Sequence, residues 1–139
     1  RRLRAFGPPV ARQFGPGARA GIVFLLFFLV CGVIGGLGFV ALNAGGTTVA
    51  VGASGAVSGL WGAASRLIGR RSGLWGLWEG PVRGQIVVVV GLNLLIGVVG
   101  HLFGGLPIAW EAHIAGFVAG LLLIGPFGGL ARSRDSRER

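Results

Sequence analysis

Charge is what this sequence lacks. Only 12% of its 139 residues are charged, about half the roughly 25% of an ordinary soluble domain. No charged residue occurs between Arg19 and Arg66, and a second gap runs from Arg83 to Glu111. The chain is 53% apolar and its mean hydropathy is +0.78. Uncharged apolar stretches longer than about 18 residues read as membrane-spanning helices, so an ordinary soluble domain is excluded. Cysteine is nearly absent too. The lone Cys31 excludes an internal disulfide and, lying mid-span, reads as a small apolar packing residue.

The charge that is present is one-sided: thirteen basic residues against four acidic ones, a net +9. Such a balance raises nucleic-acid binding, but its distribution points to a membrane instead. Every basic residue is arginine, and they fall in three groups, Arg1 to Arg19, Arg66 to Arg83 and Arg132 to Arg139. With four spans between and beside these groups, every arginine lands on one face of the bilayer, and arginine-rich short loops mark the cytoplasmic side. The opposite loops, Asn43 to Val51 and roughly Leu102 to Glu111, carry only Glu111. The expectation is an integral, multi-pass protein of the cell membrane whose arginine-rich loops and C-terminus are cytoplasmic, with the lipid bilayer as partner and no nucleic acid. The arginines serve topology first and contact with anionic lipid second.

The expected fold is all-α, a polytopic bundle with spans at about 20–42, 53–68, 85–103 and 111–125 and a basic tail over 131–139. Pro8, Pro9 and Pro16 prevent a continuous helix ahead of the first span. Asn43 to Thr48 read as an outer turn. The Val87-Val88-Val89-Val90 run suggests a strand in water, but a lone strand in lipid leaves its backbone unpaired, so a helix is expected. Pro126 and Gly128-Gly129 are expected to close the fourth span. Trp75 and Trp78 suit the inner interface, and Trp110 reads as an anchor at the outer one.

Two polar residues fall where such a chain can least accommodate them: Ser54 in Gly52-Ala53-Ser54-Gly55, and His113 in Ala112-His113-Ile114-Ala115-Gly116. Ser54 precedes Arg66 by twelve residues and His113 precedes Gly125 by twelve, in each case about 18 Å of helix at 1.5 Å per residue. Two separate counts thus place both at one depth, roughly 10 Å below the outer surface of a ~30 Å core. Each begins a small-residue stripe: Gly55-x-x-x-Gly59 then Gly62, and Gly116-x-x-x-Gly120 flanked by Ala112 and Ala119. Small residues let helix backbones approach closely in lipid, so the stripes are candidate packing surfaces that bring the hydroxyl to the imidazole.

A nucleophile beside a base is the minimum arrangement for covalent hydrolysis. His113 could take the hydroxyl proton and return it to a leaving amine. The free backbone N–H of Ser54, at a helix start, could bind part of an oxyanion. No Asp or Glu is placed to orient His113, since Glu79, Asp135 and Glu138 are cytoplasmic and Glu111 lies at the outer rim, so a Ser-His dyad is expected. No metal or cofactor is implied. Against this stand blander roles: Ser54 as a helix cap, and His113 as an interfacial residue or, with Glu111, a proton path. Ser58 reads as small-residue packing, His101 as a helix-end polar residue, and Asn93 as a buried interhelical hydrogen bond.

At these residues the chain resembles the rhomboid intramembrane serine proteases. Gly52-Ala53-Ser54-Gly55 is similar to that family's GxSG nucleophile motif, and Ala112-His113-Ile114-Ala115-Gly116 to its AHxxG base motif. Phe6 to Val10 and Phe14 to Arg19 are similar to the loop leading into the family's third helix. The resemblance implies that the four spans are the third to sixth helices of a six-helix bundle. It also implies that Ser54 is the nucleophile and His113 the base. It further implies a single membrane domain over 1–139, incomplete at the N-terminus, that cleaves peptide bonds in or near the transmembrane segments of other proteins. The family's second helix carries a His and an Asn that complete the oxyanion hole, and no HxxxN occurs in this chain: Leu102, Phe103, Gly104 and Gly105 follow His101. The chain is therefore expected to begin just after that helix, and the fragment alone to be impaired. Phe103 to Pro107, with its two glycines, and the third span are expected to move during substrate entry. The alternative is a non-catalytic relative that binds transmembrane helices without cutting.

Overall fold

A computed structural model of the chain describes residues 10–46, 53–70, 73–103 and 109–132. Helices make up all of the regular structure among them. After a short helical segment at 10–14, the chain forms α1 (Ala18–Leu42), α2 (Ser54–Ser65), α3 (Gly80–Leu102) and α4 (Trp110–Arg132).

Three of these helices are long and apolar enough to cross a membrane: α1, α3 and α4. At 1.5 Å per residue their 25, 23 and 23 residues measure about 35–38 Å, more than the ~30 Å hydrocarbon core. α2 is different. Its 12 residues span only about 18 Å, and turns follow at once over 66–69. The expectation of four spans, the second of them short, is met in part: three helices are long enough to cross a membrane and α2 is half-length.

Two other boundaries differ from the sequence reading. α3 begins at Gly80 instead of Gln85, because Pro81 fits the first helical turn, where its missing N–H is no loss. α4 does not stop at Pro126 but runs through it to Arg132. A proline removes one N–H and crowds the carbonyl four residues back. Here both Pro126 and Leu122 lie on the exposed side of the helix. Neighbouring side chains also hold carbonyls along this stretch: Arg66 Nη1 donates to Leu121 O at 3.0 Å, and Arg19 Nη2 to Leu130 O at 3.0 Å.

α1, α2 and α4 pack tightly together, and α3 lies at the side. α1 turns Ala20, Phe27, Cys31, Gly35 and Phe39 inward while Ile22, Leu25, Leu29, Val33, Leu37 and Val40 face outward. Such an apolar outer face suits lipid. One core joins Val10, Phe14, Phe27, Cys31, Leu60, Ala63 and Ile124, with Phe14 and Phe27 rings 5.7 Å apart. Cys31 is buried against Gly59. A second, smaller core attaches α3 through Val82 and Val89 to Phe117 and Leu121 of α4. Trp61 Nε1 donates to Gln85 Oε1 at 2.8 Å beside it. Only 11% of the α3 membrane window is buried, against 39% for α4, so α3 is the helix held least.

Side-chain ties fix which ends lie together. Asn43 Nδ2, just past α1, donates to Glu111 Oε1 at the start of α4 over 3.1 Å. At the opposite end Arg19, Arg66 and the Arg70–Trp75 stack gather, and Arg83 opens α3 there. The described arginines of the helices and their connecting turns therefore share one end of the bundle.

Candidate active site

The site grows from the crossing of α2 and α4. The two helices run parallel, and their glycines meet backbone to backbone. A methyl group built on Gly116 would strike the Gly55 carbonyl, and one on Gly120 the Gly59 carbonyl. One built on Gly62 would strike Phe117 O. α1 joins at the same level: a Cβ on Gly35 would come within 2.9 Å of Ala112 O and 3.2 Å of Gly55 Cα. Only residues without side chains fit where three helices meet this closely.

This crossing sets the positions of the two candidate groups. Ser54 immediately precedes Gly55, and His113 immediately follows Ala112, whose carbonyl lies 3.3 Å from the Cβ position of Gly55. They stand on neighbouring helices at one level. Ser54 is the first residue of α2 and its side chain is exposed. Among the described residues no side chain caps this helix, and the first backbone bond of its ladder runs from Val57 N to Ala53 O. The amides of Ser54, Gly55 and Ala56 precede that bond, where a helix start offers donors that have no partner within the helix. Gly52, the first residue of the serine motif, lies outside the described residues, as do residues 104–108 of the outer loop and the region before Val10.

His113, half-buried in the first turn of α4, turns to a partner on α3. Its Nδ1 lies 3.1 Å from Asn93 Oδ1. Asn93 is buried and its Nδ2 donates to Val89 O, one turn back, at 2.8 Å. Among the described residues no hydrogen bond joins Ser54 Oγ to His113. Catalytic contacts are often long in the absence of substrate and tighten when it binds.

The remaining polar residues divide clearly. Ser58 is half-buried one turn into α2, and His101 is exposed at the end of α3. The Trp110 ring packs over Gly97, 3.6 Å from its Cβ position. Asn93, Gly97, His101 and Trp110 line a cleft of about 340 Å³ between α3 and the start of α4. No three His, Cys, Asp or Glu side chains come together among the described residues.

Asn93 reads from sequence as a buried interhelical hydrogen bond, and it makes one. What sequence reasoning missed is its partner. α3 is apolar over nearly its whole length, so no polar stripe indicates which side faces α4.

The comparisons with known proteins bear on the whole arrangement. No curated protein and no solved structure matches the chain. The profile of the Rhomboid domain family matches residues 2–129, a range that holds α1, α2, α3 and all but the last three residues of α4, with the glycine crossing and the Ser54 and His113 positions inside it. A match over so much of its length, on a helical membrane bundle, places the chain in the rhomboid family.

Proposed function

We propose that the protein is an intramembrane serine endopeptidase that cleaves peptide bonds in or near the transmembrane segments of other membrane proteins, with Ser54 as nucleophile and His113 as general base and acid. One observation supports this reading: the glycine crossing brings the starts of two parallel helices, one bearing Ser54 and the other His113, to one level in a rhomboid-family bundle.

The chemistry proceeds in two stages. A serine hydroxyl attacks a carbonyl only when a base accepts its proton. His113 takes that proton, the Ser54 Oγ–carbon bond forms, and the carbonyl oxygen becomes an oxyanion. The N–H of Ser54 donates to it, as one of the donors such a site needs. His113 then protonates the leaving amine, the peptide C–N bond breaks, and an acyl-enzyme remains. Water, deprotonated by His113, then bonds to the acyl carbon, the carbon–Oγ bond breaks, and His113 returns the proton to Ser54, releasing the acid product.

In this reading the half-length α2 counts as the fourth span, and residues 1–139 act as one membrane unit. Gly55, Gly59, Gly116 and Gly120 hold the reacting groups in register. The arginine-bearing end faces the cytoplasm of a cell membrane, which puts Ser54 in the outer half of the bilayer. The loosely held α3 is the element that yields to admit a substrate helix. A helix must unwind to expose its backbone, so substrates carry small or helix-breaking residues near the cleaved bond.

A second reading, a rhomboid-like scaffold that binds transmembrane helices without cutting them, is favoured by the missing hydrogen bond between Ser54 and His113. The two readings separate in proteoliposomes. With the protein expressed from its complete reading frame, cleavage of a transmembrane substrate that disappears in Ser54→Ala is the protease outcome. Binding without cleavage is the scaffold outcome.

A further inference from the structure

We infer that Asn93 is the positioning residue of the site: it holds His113 as its Nδ1–H tautomer, so that Nε2 is the nitrogen that takes the Ser54 proton. The inference rests on the protease reading for its catalytic consequence, but its structural half stands independently.

The argument starts from the amide. Asn93 Nδ2 lies 2.8 Å from the Val89 carbonyl, one turn back on the same helix. Turning the amide over would set Oδ1 against that carbonyl, two acceptors facing each other. The amide orientation is therefore fixed by its own helix, and Oδ1 is the atom left facing α4. Oδ1 can only accept. His113 Nδ1, 3.1 Å away, must then be the donor.

A neutral imidazole carries one N–H, and the hydrogen bond at one nitrogen sets the state of the other. With the proton on Nδ1, Nε2 bears the lone pair. A neutral asparagine can orient a catalytic imidazole, as it does in cysteine proteases of the Cys-His-Asn type. Here the orienting group comes from α3, the helix with the least burial. It sits on the inner stripe Val82, Ile86, Val89, Asn93, Gly97, each about one turn from the last. Asn93 is 5% exposed and Val89 2%, so water does not readily replace either partner.

The position also has a consequence for turnover. Asn93 lines the cleft between α3 and the start of α4. Movement of α3 away from α4 withdraws Oδ1 from the ring, so the base is held in its working tautomer only while α3 is docked.

The test needs two readouts. The 139 residues contain two histidines, His101 and His113, so in a His101→Gln background labelled with 15N-histidine the ring signals of His113 are those lost on His113→Ala. The expected spectrum has Nδ1 protonated and Nε2 bare. Asn93→Leu, similar in bulk and without either polar atom, should erase that preference. General-base catalysis contributes about 10²–10⁴-fold, so partial loss of tautomer control should lower kcat on a transmembrane substrate about 10- to 100-fold. KM should stay within about threefold, since the ground-state contacts of the substrate are untouched. Asn93→Asp, whose neutral carboxyl can accept from Nδ1–H and donate to Val89 O, should restore both readouts. An Nε2–H ring in the parent, or an Asn93→Leu protein whose ring signals are unchanged whatever its activity, overturns the inference. If no substrate is cleaved while Asn93 still dictates an Nδ1–H ring, the protease reading falls and the hold on the tautomer stands.

Discussion

Substituting Gly120 by alanine probes the contact on which the whole site depends. The added methyl would strike the Gly59 carbonyl oxygen and lie only 2.6 Å from its carbon and 2.8 Å from Gly59 Cα. Comfortable carbon contacts are about 3.5–4.0 Å, so α2 and α4 must part by about 1 Å. Both surfaces are backbone, with no side chain to swing aside. Overpacking of this kind costs about 1–3 kcal/mol, against which the better helix propensity of alanine returns about 0.5–1 kcal/mol. The net expectation is a loss of about 1–2 kcal/mol. Gly91 on α3 supplies the control, since nothing lies within 4 Å of its Cβ position. Gly91→Ala should keep only the gain of about 0.5–1 kcal/mol. Equilibrium unfolding in micelles, followed by circular dichroism, would resolve the opposite signs. Activity should fall further than stability, because displacing reacting groups by 1 Å can cost about 10²-fold. Equal stability of the two variants would refute the close crossing and, with it, the shared level of the helix starts that carry Ser54 and His113.

Two further substitutions probe different parts of the structure. Ser54→Ala should abolish turnover yet change stability by no more than about 0.5 kcal/mol, because the serine is exposed; a large unfolding shift measured by the same titration would mean that it caps or packs instead. Arg66→Ala should destabilise by about 1.5–3 kcal/mol, the range for hydrogen bonds to charged groups, since its guanidinium donates to Trp75 O at 2.8 Å and Leu121 O at 3.0 Å. Arg66→Lys should recover only part of that in the unfolding measurement, because an ammonium lacks the planar fork that reaches both carbonyls.

Much of this arrangement was legible from charge and glycine alone. The two long uncharged gaps located α1, α2 and α3, and the uncharged run after Glu111 located α4, since lipid leaves an apolar segment few other ways to pair its backbone. The shortness of α2 was readable from the twelve residues between Ser54 and Arg66. Where the reading fell short, the cause was tertiary. Pro126 looked like a stop because its ring removes one helix bond; that α4 nevertheless continues, with Pro126 and Leu122 on its exposed side, is set by how the helix packs. The partner of Asn93 was hidden because the few polar residues of α3 after Arg83, namely Gln85, Asn93 and His101, stand singly on an otherwise apolar helix and do not say which neighbour each one faces. The glycine stripes announced close approach, but not that Gly35 of α1 would join Gly55 and Ala112 at the same point. The expected contact between serine and imidazole is the one element that the described hydrogen bonds leave open.

The most direct measurement is covalent. The protein, expressed from its complete reading frame and held in proteoliposomes, would be treated with a fluorophosphonate and analysed by intact and peptide mass spectrometry. A base-activated serine should give a single adduct, mapped to Ser54, that is lost in His113→Ala and reduced in Asn93→Leu. A folded protein with no adduct, or with one on Ser58 or Ser65 instead, would contradict the account.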